Sequence, residues 1–340
     1  MTPRADQAQA FISTTDWASV PVSPLAGDAS NRKYFRLIRP NGHTAVLMDA
    51  DPAKGEDVRP FLHVAAHLAQ IGLSAPTCLA QDIPKGFLLL EDLGDALFAR
   101  VVAKDPALET PLYEAATGAL VTLHANAPAS GLKPYDPAVM TAMAALAWRW
   151  YRSGALGADA ARETAFTEAF KPLLDTYVRE TPVMILRDYH AENLLWLPAR
   201  QGPARAGQLD FQDAMLGHPA YDLVSLLQDA RRDVSSDVAE AMVRHYCHQT
   251  NSNHSDFTTA YHLLGAQRNL RILGVFARLS LMAGKPHYID LIPRVWAHLM
   301  HDLAHPALAP VAALIRADLP EPTPALLQRL KDLCGTVPAP

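Results

Sequence analysis

The sequence predicts an α+β fold with two lobes, a small antiparallel sheet carrying one helix and a larger, mostly helical region. Strand and turn patterns are concentrated in the first 95 residues, and helical periodicity dominates from Asp95 onward. The length of 340 residues also exceeds what a single hydrophobic core usually holds. Because the composition changes near residue 93, we expect an N-terminal lobe of residues 1–93 and a C-terminal lobe of residues 94–340.

The first lobe begins with a predicted β-hairpin. Two β-like runs, 34–38 and 44–48, flank the pair Asn41-Gly42, which tolerates the positive φ of a tight turn. Apolar residues then recur at helical spacing over 56–71, and Gly72 stands where a C-cap is expected. One amphipathic helix should therefore follow the hairpin.

The remaining elements follow from periodicity and from Pro and Gly punctuation. The further strands are predicted at 77–81, 87–90, 183–186, 194–197 and 207–209. The further helices are predicted at 108–126, 136–152, 159–179, 219–230, 236–250, 256–283 and 287–303. The Pro-rich tail after Pro320 is expected to be loosely held.

Composition and charge argue against several classes of protein. Hydrophobic residues make up 49% and charged residues 19%, so the whole length should fold. A net charge of −5 without a basic run argues against nucleic-acid binding. Three distant cysteines without a C-x-x-C pair predict neither a disulfide framework nor a zinc site, and fit a reducing cytoplasm. We expect no signal peptide, no membrane insertion and no obligate protein partner.

Two polar segments carry the candidate chemistry. The first runs from Asp188 to Asn193 after a short strand, and Asp210 follows another strand 17 residues after Asn193. This order matches the catalytic loop and the metal-binding aspartate of the kinase signature. Asp210 and Asn193 offer the hard oxygen ligands that Mg²⁺ prefers, which leaves Asp188 to orient a hydroxyl and accept its proton. The alternative is that Asp188 and Asn193 only shape a turn.

These segments and three others resemble the aminoglycoside phosphotransferase and choline kinase-like family, a branch of the protein-kinase-like fold. The other segments are Gly27 to Tyr34, similar to the phosphate loop, 90–94, similar to the adenine-binding hinge, and 221–223, similar to an acidic anchor. Within the family, the chain is most similar to bacterial anomeric N-acetylmuramate and N-acetylglucosamine kinases of cell-wall recycling. The resemblance implies MgATP between the lobes and transfer to the anomeric hydroxyl of an amino sugar.

The resemblance also implies the residues that contact ATP, but one expected residue is missing. The implied contacts are Ser30, Asn31, Arg32, Lys33, Glu91 and Leu93. Met48 lies near the position where most kinase-like folds carry a lysine that binds the α- and β-phosphates, with a helix glutamate beside it. Either Arg32, Lys33 or Arg36 supplies this charge, with Glu56 as a possible partner, or the chain is a pseudokinase. The complete set of Asp188, Asn193 and Asp210 favours an active enzyme.

The candidate acceptor-binding residues are less closely defined. They are His190, Asp213, Arg268 and Arg271. His190 is expected to brace the loop rather than serve as a second base. Arg268 and Arg271 share one stripe of a largely apolar helix, so they must face an internal carboxylate, such as Asp213 or Asp222, or an anionic ligand. An aminoglycoside, choline or homoserine acceptor is the alternative, although a cationic acceptor would need an acidic pocket.

Overall fold

A computed structural model describes residues 3–25, 31–179 and 181–337. The chain divides into two compact units, residues 1–129 with 191–214, and residues 130–190 with 215–340. Each unit therefore contains two separate stretches of the chain. The assignment of nucleotide binding to residues 1–93 and of catalysis to residues 94–340 stays a prediction. None of the helices in the described ranges is both long and apolar enough to span a membrane.

The described strands and helices are numbered in chain order. The strands are β1 (Val22–Pro24), β2 (Lys33–Ile38), β3 (Thr44–Asp49), β4 (Cys78–Asp82), β5 (Phe87–Glu91), β6 (Val183–Ile185), β7 (Leu194–Trp196), β8 (Ala206–Gln208) and β9 (Met215–Gly217). The helices are α1 (Pro3–Ser13), α2 (Arg59–Gln70), α3 (Phe98–Lys104), α4 (Glu109–Ala125), α5 (Pro137–Ala144), α6 (Ser153–Leu156), α7 (Ala160–Tyr177), α8 (Ala220–Leu227), α9 (Ser236–Thr250), α10 (His254–Leu281), α11 (Ile292–Asp302), α12 (Ala309–Asp318) and α13 (Pro324–Asp332). A π-helical segment, Ala147–Arg152, joins α5 to α6.

The first unit is built on a five-stranded antiparallel sheet in the order β1-β2-β3-β5-β4. The predicted hairpin is confirmed, because β2 pairs with β3 and Gly42 has a φ of 83° in the connecting turn. The predicted helix 56–71 begins only at Arg59, so Glu56 lies in the loop before α2. Helix α1, which the sequence did not predict, packs Phe11 and Ile12 into the core of the sheet.

A second antiparallel pair, β7 with β8, also belongs to the first unit. The short pair β6 with β9 belongs to the second unit, where it precedes the polar segment that contains Asp188. Both pairs end at the polar segments that the sequence marks as candidate chemistry. The strands therefore fix where those segments begin.

The second unit is mostly helical and is organised around α10, which has 28 residues. The side chain of Asn253 accepts the N–H groups of Ser255 and Asp256 and so caps its first turn. Gly274 lies against the backbone of Leu146 so closely that a Cβ atom there would clash. This approach explains a glycine in the middle of a long helix, where it would otherwise be unfavourable.

The expectation of a loosely held tail is wrong for residues 324–332. Thr323 caps α13 by accepting the N–H of Leu326, and Leu330 is completely buried. Lys331 forms an ion pair with Asp290 at 2.5 Å. Pro324 begins α13, where a proline in the first turn costs no helical hydrogen bond.

Candidate active site

The backbone before Asp188 is held from both sides within the second unit. The carboxylate of Asp222 on α8 accepts the N–H groups of Leu186, at 2.6 Å, and Arg187, at 2.8 Å. The hydroxyl of Ser225 lies 3.3 Å from the carbonyl oxygen of Arg187. Arg187 has a φ of 72°, which costs a non-glycine residue on the order of 1–2 kcal/mol. These hydrogen bonds hold a strained peptide in place and so fix the position of Asp188.

Asp188 is held in its ionised form by positive charges. Burial alone would favour the neutral acid, but the charges of Arg271 and Arg268 outweigh it. Arg187 contributes further, and the pKa of Asp188 lies below its ordinary value. The carboxylate can therefore accept a proton only weakly in the ground state, and it is ready to orient a hydroxyl donor.

Arg268 and Arg271 both come from α10. Arg268 is 4% exposed, and its Nη2 donates to the hydroxyl of Ser225 at 2.8 Å. Its Nε and Nη1 have no hydrogen-bond partner among the residues that the structure describes. Arg271 is partly exposed and hydrogen-bonds to Tyr221. The direct partner of Arg268 is thus a hydroxyl rather than the carboxylate of Asp222.

His190 has the properties of a bracing residue. It is 6% exposed, and its Nε2 lies 3.4 Å from Nη1 of Arg231. Because a guanidinium can only donate, this nitrogen of the imidazole must accept. Burial lowers the pKa of His190 to about 4, so the ring is neutral near pH 7 and a weak base. These observations favour bracing over a second catalytic base.

Asn193 and Asp210 are brought together in the first unit by the β7–β8 pair. The backbone N–H of Leu209 donates to the carbonyl of Asn193 at 2.9 Å, so the two candidates lie next to each other at one end of the pair. Asp210 has a φ of 55°, its side chain is 43% exposed, and its Oδ1 accepts from Gln212 at 2.8 Å. A carboxylate and an amide oxygen on adjacent strand ends fit the ligand preference of Mg²⁺.

The first unit also contains an ion pair that can take the place of the missing lysine. Met48 is 1% exposed, in the core of the sheet. Nε of Arg32, just before β2, donates to Oε2 of Glu56 at 2.9 Å, and its Nη1 lies 3.9 Å from Oδ1 of Asp210. A cation with a glutamate partner therefore lies beside the candidate metal ligand. The two partners of this ion pair come from the segment before β2 and from the loop before α2, rather than from β3 and a helix.

Arg36 forms ion pairs with two other carboxylates of the first unit. It lies 2.7 Å from both Asp92 and Asp95, and these hydrogen bonds raise its pKa further. Arg36 thus braces the segment after β5, which leaves Arg32 and Lys33 as the candidates for binding phosphate.

The other implied ATP contacts are distributed over the first unit. Ser30 lies outside the described residues, and the side chain of Asn31 lies 3.5 Å from the carbonyl of Lys54. Glu91 ends β5, where its carboxylate accepts from Thr77 at 2.8 Å and from Arg200 at 2.6 Å. The side chain of Glu91 therefore braces the strand end, and a nucleotide would have to use the backbone. Leu93 follows two residues later and is partly exposed.

Sequence reasoning missed two residues of the second unit and grouped Asp213 with three residues that belong to a different unit. Ser225 stands three residues after Asp222, on the same face of α8, which was the available signal. Arg187 precedes Asp188 directly, but only the structure gives its positive φ. Asp213 is exposed and belongs to the first unit, whereas His190 and the arginines of α10 belong to the second.

Known proteins resemble this chain over most of its length. The phosphotransferase enzyme family matches residues 21–260. An N-acetylmuramate/N-acetylglucosamine kinase of Caulobacter vibrioides is 38% identical, over 89% of this chain and 93% of that protein. A protein of the same name from Pseudomonas aeruginosa is 35% identical, over 90% of this chain and 91% of its own.

The fold is also found among solved structures. A choline/ethanolamine kinase family protein from Mesorhizobium loti matches with a TM-score of 0.62 at 16% identity, over 92% of this chain and 99% of that chain. At this identity the match shows the fold alone, and it confirms the predicted α+β, protein-kinase-like class. The match of residues 21–260 and the identity to both curated kinases show that this chain belongs to the phosphotransferase enzyme family.

Proposed function

We propose that this protein is an ATP-dependent, Mg²⁺-dependent kinase that phosphorylates the anomeric hydroxyl of N-acetylmuramate, N-acetylglucosamine or both. The product would be the sugar 1-phosphate, formed in peptidoglycan recycling. The observation that carries the choice of acceptor is the identity, over about nine tenths of the chain, to kinases named for these two sugars. ATP supply and the reduced cysteines would suit a cytoplasmic location.

Asp188 is proposed as the group that orients the acceptor hydroxyl and receives its proton. The sugar oxygen would form a bond to the γ-phosphorus as the bond to the β-γ bridging oxygen breaks, and ADP would leave with that electron pair. The lowered pKa of Asp188 keeps it ionised for this role. Because the transition state is loose, little proton transfer is needed before the bond to the leaving group breaks. Orientation should therefore contribute more than basicity.

Asn193 and Asp210 are proposed to hold Mg²⁺, which when bound would neutralise charge on the phosphates. The neighbouring positions of the two residues and the exposed side chain of Asp210 support this role. Arg32 and Lys33 are proposed to bind the phosphates, and the ion pair with Glu56 would hold Arg32 in place.

The remaining contacts are proposed with smaller roles. Asn31, Ser30 and the hinge at Glu91 and Leu93 would contact ATP, the hinge through its backbone. His190 would support the catalytic loop on the acceptor side. Asp213, Arg268 and Arg271 would lie near the acceptor, and the arginines argue against a cationic acceptor such as an aminoglycoside or choline.

The proposal can be tested by measuring ADP release with a panel of acceptors. The panel should contain both amino sugars, an aminoglycoside, choline and homoserine, with phosphorus NMR of the product to locate the phosphate. We expect turnover with at least one amino sugar and a phosphate on C1. Turnover of another acceptor alone would reject the proposed substrate. MgATP binding without any turnover would support the pseudokinase that Met48 suggests.

A further inference from the structure

The second unit contains more positive charge around Asp188 than the transfer of a proton requires. Among the main electrostatic partners of Arg271, Asp188 is the one carboxylate, and Asp188 also interacts with Arg268 and Arg187. Asp222 is fully buried beneath two backbone N–H groups. Arg268 also interacts with Asp229 and Asp222. Arg271 and Arg187 both act on Asp188, and their combined charge favours a further anion beside it.

Two of these arginines converge on one pair of tyrosines. Cζ of Arg187 lies 5.7 Å from the centre of the Tyr135 ring. Arg271 hydrogen-bonds to Tyr221, whose ring meets that of Tyr135 edge to face at 5.0 Å. Gln267 fixes the hydroxyl of Tyr135 by donating to it at 3.1 Å. The two buried tyrosines thus contact each other, and each has a partly exposed arginine beside it, Arg187 at Tyr135 and Arg271 at Tyr221.

The conformation of Arg187 supports a role for its side chain. At a φ of 72°, glycine would avoid the steric cost that an arginine bears. Asp222 and Ser225 hold the peptide in this conformation whatever side chain it carries. The backbone conformation therefore does not require an arginine at this position, which indicates a role for the guanidinium itself. Because Arg187 directly precedes Asp188, this role fits contact with the acceptor.

We propose that Arg271 and Arg187 form a carboxylate-binding site that distinguishes an anionic amino sugar from a neutral one. This inference rests on the proposed function and deepens it. N-acetylmuramate differs from N-acetylglucosamine by a lactyl ether, which adds a carboxylate that is charged at neutral pH. Planar guanidinium groups suit carboxylates because they can donate two parallel hydrogen bonds. Arg268, which is more deeply buried, supports the local positive potential and holds Ser225.

The test compares kcat/KM for the two sugars in wild type, Arg271→Gln, Arg271→Lys and Arg187→Gly at about pH 8, where Asp188 stays ionised. Arg187→Gly removes the guanidinium while suiting the positive φ. Arg316→Gln removes an exposed arginine of α12 in the same unit and serves as the control. Thermal unfolding of each variant checks that it is folded.

We expect Arg271→Gln and Arg187→Gly to lower kcat/KM for N-acetylmuramate on the order of 10- to 100-fold, the range of one charge-assisted hydrogen bond. The value for N-acetylglucosamine should fall by a smaller factor, because this sugar lacks the carboxylate, so the ratio of the two kcat/KM values should shift toward N-acetylglucosamine. Arg271→Lys should recover part of the loss because it keeps the charge without the planar fork.

Equal losses for both sugars would overturn the inference, since they would assign the arginines to the phosphate or to Asp188. Unchanged kinetics for both sugars would overturn it as well. Wild type that uses neither sugar would reject the proposed function and this inference with it. A wild type active on both sugars, whose variants lose both equally, would reject only this inference.

Discussion

The two candidate carboxylates, Asp188 and Asp210, differ in how their surroundings prepare them. Asp188 follows a peptide held by Asp222 and Ser225, and arginines keep it ionised. Asp210 keeps 43% of its side chain exposed and has Arg32 at 3.9 Å. The fold itself positions the group that is proposed to receive the proton, whereas the proposed metal ligand offers an accessible oxygen. Changes at Asp188 should therefore affect turnover, and changes at Asp210 should affect binding of the metal–nucleotide.

The largest effect is expected from Asp188→Asn, which keeps the shape but removes the charge and the basic site. We expect kcat to fall by about 10²–10⁴-fold, the usual contribution of a general base. A coupled ADP assay with both amino sugars measures it, and Asp233→Asn, at an exposed aspartate, is the matched control. If more than about a tenth of wild-type kcat remains, Asp188 is not the base.

A smaller loss is expected from Asp210→Asn and from Asn193→Ala. Each weakens one oxygen ligand, and we expect turnover to fall roughly 10²-fold at low Mg²⁺, as when one electrostatic stabiliser is removed. Higher Mg²⁺ should restore part of the activity, because the defect lies in binding. A Mg²⁺ titration of turnover measures this. If no Mg²⁺ concentration restores activity, these residues act on turnover as Asp188 does, and the proposed difference between the two carboxylates is wrong.

Arg32→Met tests whether Arg32, which is paired with Glu56, binds the ATP phosphates in place of the missing lysine. We expect the KM for ATP to rise about tenfold, with the sugar KM unchanged, because a single charge-assisted contact is lost. Arg39→Met is the control, since Arg39 packs on Trp17 and donates to the carbonyl of Asp16. An unchanged KM for ATP would shift the role to Lys33 and can be followed up with Lys33→Met.

The smallest effect is expected from Ser225→Ala, which tests whether the hydrogen bonds around Arg187 position Asp188. It removes the hydroxyl between Arg268 and the carbonyl of Arg187. We expect kcat to fall severalfold, consistent with about 1 kcal/mol for one hydrogen bond, while both KM values stay close to wild type. Ser280→Ala, at another fully buried serine, controls for the loss of a hydroxyl. Equal effects of the two variants would indicate a general loss of stability.

Much of the fold could be predicted from local patterns. The Asn-Gly turn specified the β2–β3 hairpin, and the apolar periodicity specified α2 and α10. Helix α1 was missed because its own pattern is weak and its burial depends on a sheet formed later in the chain. Helix α13 was missed because the prolines from Pro320 onward suggested a loose tail, although one of them, Pro324, begins this helix.

Likewise, only part of the candidate site could be predicted from local sequence patterns. Asp188, Asn193 and Asp210 were recognisable because their spacing reflects short strands followed by polar turns. The brace around Arg187 could not be predicted, because Asp222, Ser225 and Arg268 reach it from two separate helices. The pairing of Arg32 with Glu56 joins the residue before β2 to a loop 24 residues away, and no local pattern encodes it.

Calorimetric titration of MgATP into wild type, Asp188→Asn and Asp210→Asn tests the contrast between the two carboxylates most directly. We predict that Asp188→Asn binds MgATP within about threefold of wild type, because a proton acceptor adds little to ground-state nucleotide affinity. Asp210→Asn should bind at least about tenfold more weakly, because it loses a charged ligand of the metal. Equal weakening in both variants, or weakening only in Asp188→Asn, would contradict the account.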